Sequence, residues 1–237
     1  MFWFSRKATI TVDCFTSKDY VYRNNPIEPS GKLMPDWVKN MPTSYKDNGF
    51  VPMGTIKKCP SIIQFMASGF IIPLWSDLAI KLNGSNNSYE WQFADNITGA
   101  EPHSFIQWQD FAHPNENTHL KLLSPWRIKT KEDINFVWMF PFYNNKIQLD
   151  YHITPAIIEF KYQHASNINM FLDTNKDKNF VISAGTPLAQ LIPMSDKKIK
   201  IKTHLVSEEE YDKYSNPRTH FLNEYQKIMK PKCPFHK

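Results

Sequence analysis

Seventeen prolines are spread along the 237 residues of this chain, against only seven glycines. Proline has no backbone N–H, and its ring clashes with the preceding turn of a helix, so prolines at this density divide the chain into short elements. Aromatic residues make up 14% of the sequence, and large flat side chains suit the faces of β-sheets. The sequence therefore predicts a mainly β fold with short helices.

Alternating apolar and polar residues indicate the strands of this fold. The clearest hairpin joins "LAIKL" at 78–82 to "SYEWQF" at 88–93 through the turn "NGSNN". Segments of this kind predict roughly ten or more strands. Their arrangement is expected to be an antiparallel β-sandwich or jelly-roll-like domain with short peripheral helices and a helical C-terminus.

The stretch "KIKIKTHLV" at 198–206 has the most regular alternation in the chain. It predicts a half-buried antiparallel strand, because residues two apart share one face of a sheet. The residues predicted to point inward are Ile199, Ile201, Thr203 and Leu205. Those predicted to point outward are Lys198, Lys200, Lys202 and His204. Lysines in this position also protect an exposed sheet edge against aggregation.

Two regions are distinguished along the chain. Residues 1–206 are predicted to form one β-rich domain, in which the proline-rich segment 23–57 is a loop that wraps over the core. Residues 207–237 are predicted to be a helical extension packed on the same domain. Its start is indicated by Ser207 and Glu210, which have the spacing of a capping box.

Charge, cysteines and hydropathy narrow the classes of function. The net charge is +5, but the lysines are spread along the sequence, so a nucleic-acid partner is not indicated. Three widely spaced cysteines do not form a disulfide framework, which favours a reducing compartment and a cytoplasmic location. The most apolar stretch, "SIIQFMASGFIIPLW", is interrupted by polar residues, glycine and proline, so no membrane-spanning segment is predicted.

The stretch "SFIQWQDF" at 104–111 alternates and is predicted to be a strand. A group of histidines and carboxylates lies in this stretch and on both sides of it. Imidazole and carboxylate are suitable ligands for iron or zinc. The candidate metal ligands are His103, Asp110, His113 and His119, with Glu116 between the last two. The tight His-x-Asp or His-x-His pair that is common on β-scaffolds is absent from the sequence.

A third pattern resembles the trimeric dUTP pyrophosphatases. In that family a strand reads G-x-x-x-A-Q-L, and here Gly185, Ala189, Gln190 and Leu191 match it. Asp150 would correspond to the catalytic aspartate of the family. The glycines that flank that aspartate, the Arg-Ser-Ser phosphate-binding motif and the Gly-rich C-terminal arm are missing, so a nucleotide hydrolase is kept only as an alternative.

The order and spacing of several segments are similar to a family of uncharacterised proteins from marine phages and bacteria. The segments are "VDCFT", "PDWVKNMP", "TIKKCPSIIQFMASGFIIPLWSDL", "LLSPWRI" and "ISAGTPLAQLIP". The resemblance implies a phage or marine microbial source and a cytoplasmic or virion-associated protein. It transfers no catalytic residue and no cofactor.

The leading hypothesis is a non-enzymatic binding or assembly protein with an exposed apolar or aromatic patch. Its partner would be another protein or a second copy of the chain. The first alternative is a metal-dependent enzyme, using iron or zinc, on a double-stranded β-helix. The second alternative is hydrolysis of a nucleoside triphosphate around Asp150 and Gln190.

Overall fold

The computed structural model describes residues 9–46, 49, 51–95, 98–108, 111, 117–144 and 150–214. Within them the strands are β1 (Thr9–Thr16), β2 (Glu28–Pro29), β3 (Ser44–Tyr45), β4 (Met53–Gly54), β5 (Phe70–Pro73), β6 (Leu78–Asn83), β7 (Ser88–Phe93), β8 (Ala100–His103), β9 (Asn117–Leu122), β10 (Arg127–Thr130), β11 (Phe136–Met139), β12 (Tyr151–Ile153), β13 (Ala156–Ile158), β14 (Ile168–Asp173), β15 (Lys178–Ile182), β16 (Pro187–Pro193) and β17 (Lys198–Leu205).

The helices are short, as the prolines predict. The α-helices are α1 (Asp19–Asn24), α2 (Asp36–Asn40), α3 (Pro60–Ala67) and α4 (Glu208–Tyr214). Single 3-10 turns occupy Ser30–Leu33, Ile56–Lys58, Phe105–Trp108 and Phe142–Asn144. No helix among the described residues is long and apolar enough to cross a membrane.

Four sheets carry most of the strands. Sheet A has the order β10-β1-β17, sheet B β13-β11-β16-β5-β2, sheet C β12-β14-β9-β8, and sheet D β15-β6-β7. A two-stranded ribbon of β3 and β4 completes the set. Sheets B, C and D are antiparallel throughout. The predicted fold class, a mainly antiparallel β-sandwich with short helices, is confirmed.

One hydrophobic core receives side chains from all four sheets. Val12 of sheet A, Phe136 of sheet B, Leu120 of sheet C and Leu78 of sheet D are fully buried in it. The hairpin predicted at 78–93 is β6 and β7, paired from Leu78 with Phe93 to Asn83 with Ser88. Alternate residues of these strands reach the core because side chains of a strand point to opposite faces in turn.

The strand 198–205 differs from its prediction in direction. β17 runs parallel to β1, with Ile199 beside Ile10 and Ile201 beside Val12. An edge strand with one buried face alternates in the same way whether its neighbour is parallel or antiparallel, so the pattern does not report the direction. Leu205, predicted to point inward, is 42% exposed because it lies at the end of the strand.

The prediction of a strand at 104–111 is wrong for its described residues. Strand β8 ends at His103, and Phe105–Trp108 form a 3-10 turn. The hydroxyl and carbonyl of Ser104 accept hydrogen bonds from the backbone N–H groups of Ile106 (3.3 Å) and Gln107 (3.2 Å). Serine often starts turns in this way, and the local bonds outweigh the alternating pattern.

Helix α4 starts where the capping box predicts. The hydroxyl of Ser207 accepts a hydrogen bond from the backbone N–H of Glu210 at 3.2 Å. The described part of the C-terminal extension packs on sheet A through Tyr214, whose ring stacks on Phe15. Residues 215–237 of the predicted helical extension lie outside the described residues.

Candidate functional site

The structure brings two of the four predicted metal ligands together. His103 on β8 lies directly opposite His119 on β9, and the ring centroids are 4.8 Å apart. Asp110 and His113 lie outside the described residues. The described part of the chain holds no group of three His, Cys, Asp or Glu side chains arranged to bind a metal ion. The metal site at these four residues stays a prediction.

His119 is held by hydrogen bonds at both ring nitrogens. The indole N–H of Trp108 donates to Nδ1 at 3.0 Å, and Nε2 lies 3.2 Å from Oδ1 of Asn169. Because Nδ1 accepts from the indole N–H, it carries no proton. Nε2 then carries the proton and donates to the amide oxygen, and the imidazole is neutral. The side chain is buried at 4% exposure, and Phe171 stacks on it with centroids 5.1 Å apart. A metal at His119 would therefore have to replace one of these bonds.

Burial makes two histidines sensitive to acid. Burial lowers the pKa of His119 and of His164, whose Nδ1 lies 3.1 Å from the carbonyl oxygens of Ile128 and Phe160. The unfolded chain therefore binds protons more readily than the folded one. The stability that the two neutral histidines contribute is present above the ordinary pKa of 6.5 and is lost as the pH falls below it.

We therefore expect the urea midpoint of unfolding to fall between about pH 7 and about pH 5. Replacing both histidines, H119N with H164N, should flatten this dependence, although it also lowers the overall stability. The exposed His152 on β12, replaced by Gln, is the matched control and should leave the slope as it is. An unchanged slope in the double variant would show that other groups cause the acid sensitivity.

The outer face of sheet A gathers positive charge. Lys198, Lys200 and Lys202 alternate along β17 and share the face that points away from the core. The strand register places Lys129 of β10 beside Asp13 of β1, with Lys202 on the other side of that aspartate. We call this the lysine face, defined by Lys129, Lys198, Lys200 and Lys202.

Little negative charge balances the lysine face. All four lysines are exposed, and no described carboxylate lies within 4.0 Å of any of their Nζ atoms. Asp13 is the one acidic residue in β1, β10 and β17. Its Oδ1 lies 2.9 Å from Nε2 of His204, so this oxygen is engaged by the imidazole and not by a lysine. With four lysines against one aspartate, the face presents a net positive charge to solvent.

Three aromatic rings stack at one end of the lysine face. The ring of Phe15 on β1 lies 4.8 Å from that of His204 on β17, at an interplanar angle of 17°. On α4, Tyr214 stacks on Phe15 at 4.1 Å and 14°. The same helix places Tyr211 against the guanidinium of Arg127, 4.8 Å from Cζ to the ring centroid. We call His204, Phe15 and Tyr214 the ring stack.

The sequence contains part of the signal for this surface. The alternation of lysines on β17 is visible, and edge protection is one adequate explanation of it. The contribution of Lys129 depends on the pairing of β10 with β1, and these strands are more than a hundred residues apart in sequence. The ring stack likewise requires the parallel pairing of β1 with β17. Neither pairing is indicated by local pattern.

A second surface feature is a cleft of about 560 Å³ on sheet D. Its solvent-facing residues are Ala79, Lys81, Glu90, Gln92, Asn179 and Val181. Lys81 and Glu90 lie opposite each other on β6 and β7, with Nζ 3.5 Å from Oε2. Their charges offset each other, so the cleft lacks the net charge of the lysine face.

The residues of the nucleotide-hydrolase alternative occupy separate sheets. Gln190 lies on β16 in sheet B, and its side-chain amide donates to the carbonyl oxygens of Phe65 and Ser68, both at 2.9 Å. Those carbonyls lie at the C-terminal end of α3, where the Phe65 oxygen also accepts from the backbone N–H of Ser68, so the amide holds this helix end against sheet B. Asp150 precedes β12 of sheet C and forms an ion pair with Lys178 at 2.7 Å.

Comparisons with protein-family models, with curated proteins and with solved structures found no match to this chain.

Proposed function

We propose that the protein is a non-enzymatic binding protein whose lysine face holds an extended polyanion. The observation that carries the proposal is the set of four exposed lysines on one face of sheet A with no described carboxylate in contact. The proposal keeps the leading hypothesis, a binding protein. It replaces the apolar patch of that hypothesis with a charged one.

The geometry of β17 suits a linear chain of anionic groups. Residues two apart on a strand are about 7 Å apart, so Lys198, Lys200 and Lys202 form a straight row of that spacing. A chain of phosphates laid along the row would meet one ammonium group after another. Lys129 widens the row on the far side of Asp13. Binding would release the counterions held by the polyanion, which favours association at low salt.

The test is the affinity for a fluorescently labelled long-chain inorganic polyphosphate, measured by anisotropy at several salt concentrations. Replacing Lys198, Lys200 and Lys202 with Ala should weaken binding about tenfold or more at about 0.1 M salt. The slope of log affinity against log salt should fall by about two, since each lost phosphate contact removes about 0.7.

A matched control removes three exposed lysines that already have carboxylate partners. They are Lys39 beside Asp36, Lys81 beside Glu90 and Lys176 beside Asp173. This control lowers the net charge by the same amount, and its affinity should stay within about twofold of the wild type. Equal losses in both triple variants would contradict the proposal, because net charge and not the lysine face would then determine binding.

The other expectations from the sequence stand as proposals. A phage or marine microbial origin and a virion-associated location follow only from the resemblance. A cytoplasmic location rests on the resemblance and on the three widely spaced cysteines. The metal-dependent enzyme would require His103 and His119 to work with Asp110 and His113. A full equivalent of iron or zinc in protein purified without a metal-binding tag, lost in H103A, would favour that alternative.

A further inference from the structure

We propose that the polyanion is a single-stranded nucleic acid, with one base stacked on His204 at the end of the lysine row. This inference rests on the proposed function and specifies its ligand. It depends on a second observation, which is the ring stack that continues the lysine row of β17.

His204 stands two residues after Lys202 and on the same face of β17. A ligand whose phosphates follow the lysines in order would therefore reach the imidazole next. The partly exposed His204 side chain, at 36%, is oriented by its bond to Asp13 and by the ring of Phe15. The imidazole is held in a defined plane before any ligand arrives.

The imidazole of His204 lies on the edge strand of sheet A, and one of its faces is not covered by Phe15. Phe15 lies on β1 and covers the side of His204 that faces the interior of the sheet. On the other side of β17, no strand pairs with it among the described residues. The free ring face is therefore turned toward this edge. A flat ring placed there would extend the stack of Tyr214, Phe15 and His204 by one member.

A nucleobase suits this position better than the other groups that polyanions carry. Every base has a flat π-face, and stacking on aromatic side chains combined with a basic groove is how proteins bind single strands without sequence preference. Inorganic polyphosphate has phosphates but no ring to stack. In a duplex the bases are stacked on each other and paired, so none is free to reach His204.

The experiment compares two labelled probes of equal charge. One is an oligothymidylate of about twelve nucleotides, and the other is an abasic deoxyribose-phosphate strand of the same length. The wild type should bind the oligothymidylate about tenfold more tightly. The variant H204A should lose most of this preference while its affinity for the abasic strand stays within about twofold.

Two further variants separate stacking from general disturbance of the sheet. H204F retains a flat ring and should restore the preference for bases, although it loses the bond to Asp13. H152A removes an exposed histidine from β12 and should behave as the wild type. Circular dichroism and thermal unfolding of each variant confirm that the binding differences arise in folded protein.

Each outcome decides between distinct conclusions. Equal affinity of the wild type for both strands would overturn the inference and leave the polyanion-binding proposal intact. If the wild type binds neither strand and does not bind polyphosphate, the proposed function itself is overturned. A base preference that persists in H204A would place the stacking site elsewhere. A labelled duplex bound more tightly than the single strand would also contradict the inference.

Discussion

Replacing Gly69 with alanine is expected to lower the free energy of unfolding by about 3 kcal/mol or more. Gly69 joins α3 to β5 with a φ of +71°, in the left-handed region that residues with a Cβ rarely adopt. A Cβ at this position would lie 1.8 Å from the carbonyl oxygen of Leu191. That oxygen belongs to β16, which lies in the middle of sheet B. The clash cannot be relieved by moving a flexible side chain.

Urea unfolding followed by tryptophan fluorescence measures this effect, and the midpoint should fall while the slope stays the same. Gly49 provides the control, because a Cβ added there would have no heavy atom within 4 Å. The variant G49A should unfold within about 0.5 kcal/mol of the wild type. Similar midpoints for G69A and G49A would mean that the approach of the chain to Leu191 is less tight than the structure has it.

Elements defined by local chemistry were predictable from the sequence. The hairpin of β6 and β7, helix α3 between Pro60 and Ala67, and the capping box at Ser207 each depend on residues close together in the chain. In each, periodicity, proline or a cap gives a physical signal that tertiary contacts then reinforce. The mainly β class follows from many such elements together.

Elements defined by distant partners were not predictable in the same way. The parallel pairing of β1 with β17 joins residues nearly two hundred positions apart. Alternation specifies which face of a strand is buried but not which strand lies beside it. In the stretch 104–111, local hydrogen bonds override the alternating pattern. The bonds of Ser104 turn the chain there although the residues alternate.

The candidate sites follow the same division. His103 and His119 are close in sequence, and antiparallel pairing of β8 with β9 places them opposite each other. The bond from Trp108 to His119 could not be foreseen, because it depends on the 3-10 turn that replaces the predicted strand. The lysine face was visible only as a row on one strand. The position of Lys129 beside that row and the ring stack arise from long-range pairing.

Edge protection and polyanion binding are compatible roles for the lysines of β17. An edge strand that carries Lys198, Lys200 and Lys202 resists pairing with another strand, since two such edges would repel each other. The same charges attract a ligand that has phosphates and no strand of its own. Neither edge protection nor the binding of phosphates alone needs a ring beside the lysines, whereas the binding of a single-stranded nucleic acid uses His204. The abasic probe therefore tests the contribution of the ring.

Replacing Phe136 with alanine is expected to cost about 3–5 kcal/mol, in the same range as G69A or above it. Phe136 is fully buried on β11, and its ring contacts Phe70 at 5.7 Å and Phe160 at 5.5 Å between centroids. The three rings come from β5, β11 and the segment after β13, so the cluster joins parts of the chain that no hairpin connects. Truncation would remove the contacts and leave a cavity that rigid strands cannot fill.

The control for F136A lies on the adjacent strand. Ile157 of β13 is 65% exposed, and its backbone pairs with Val137, the residue next to Phe136. I157A should change the free energy of unfolding by less than about 0.5 kcal/mol. If the two variants unfold at the same urea concentration, the phenylalanine cluster does not hold sheet B together.

A large loss of unfolding free energy in F136A alone would show that the stability of the domain depends on this cluster, which lies away from the lysine face. Substitutions on that face would then be expected to alter binding without unfolding the protein, because the lysines point away from the core.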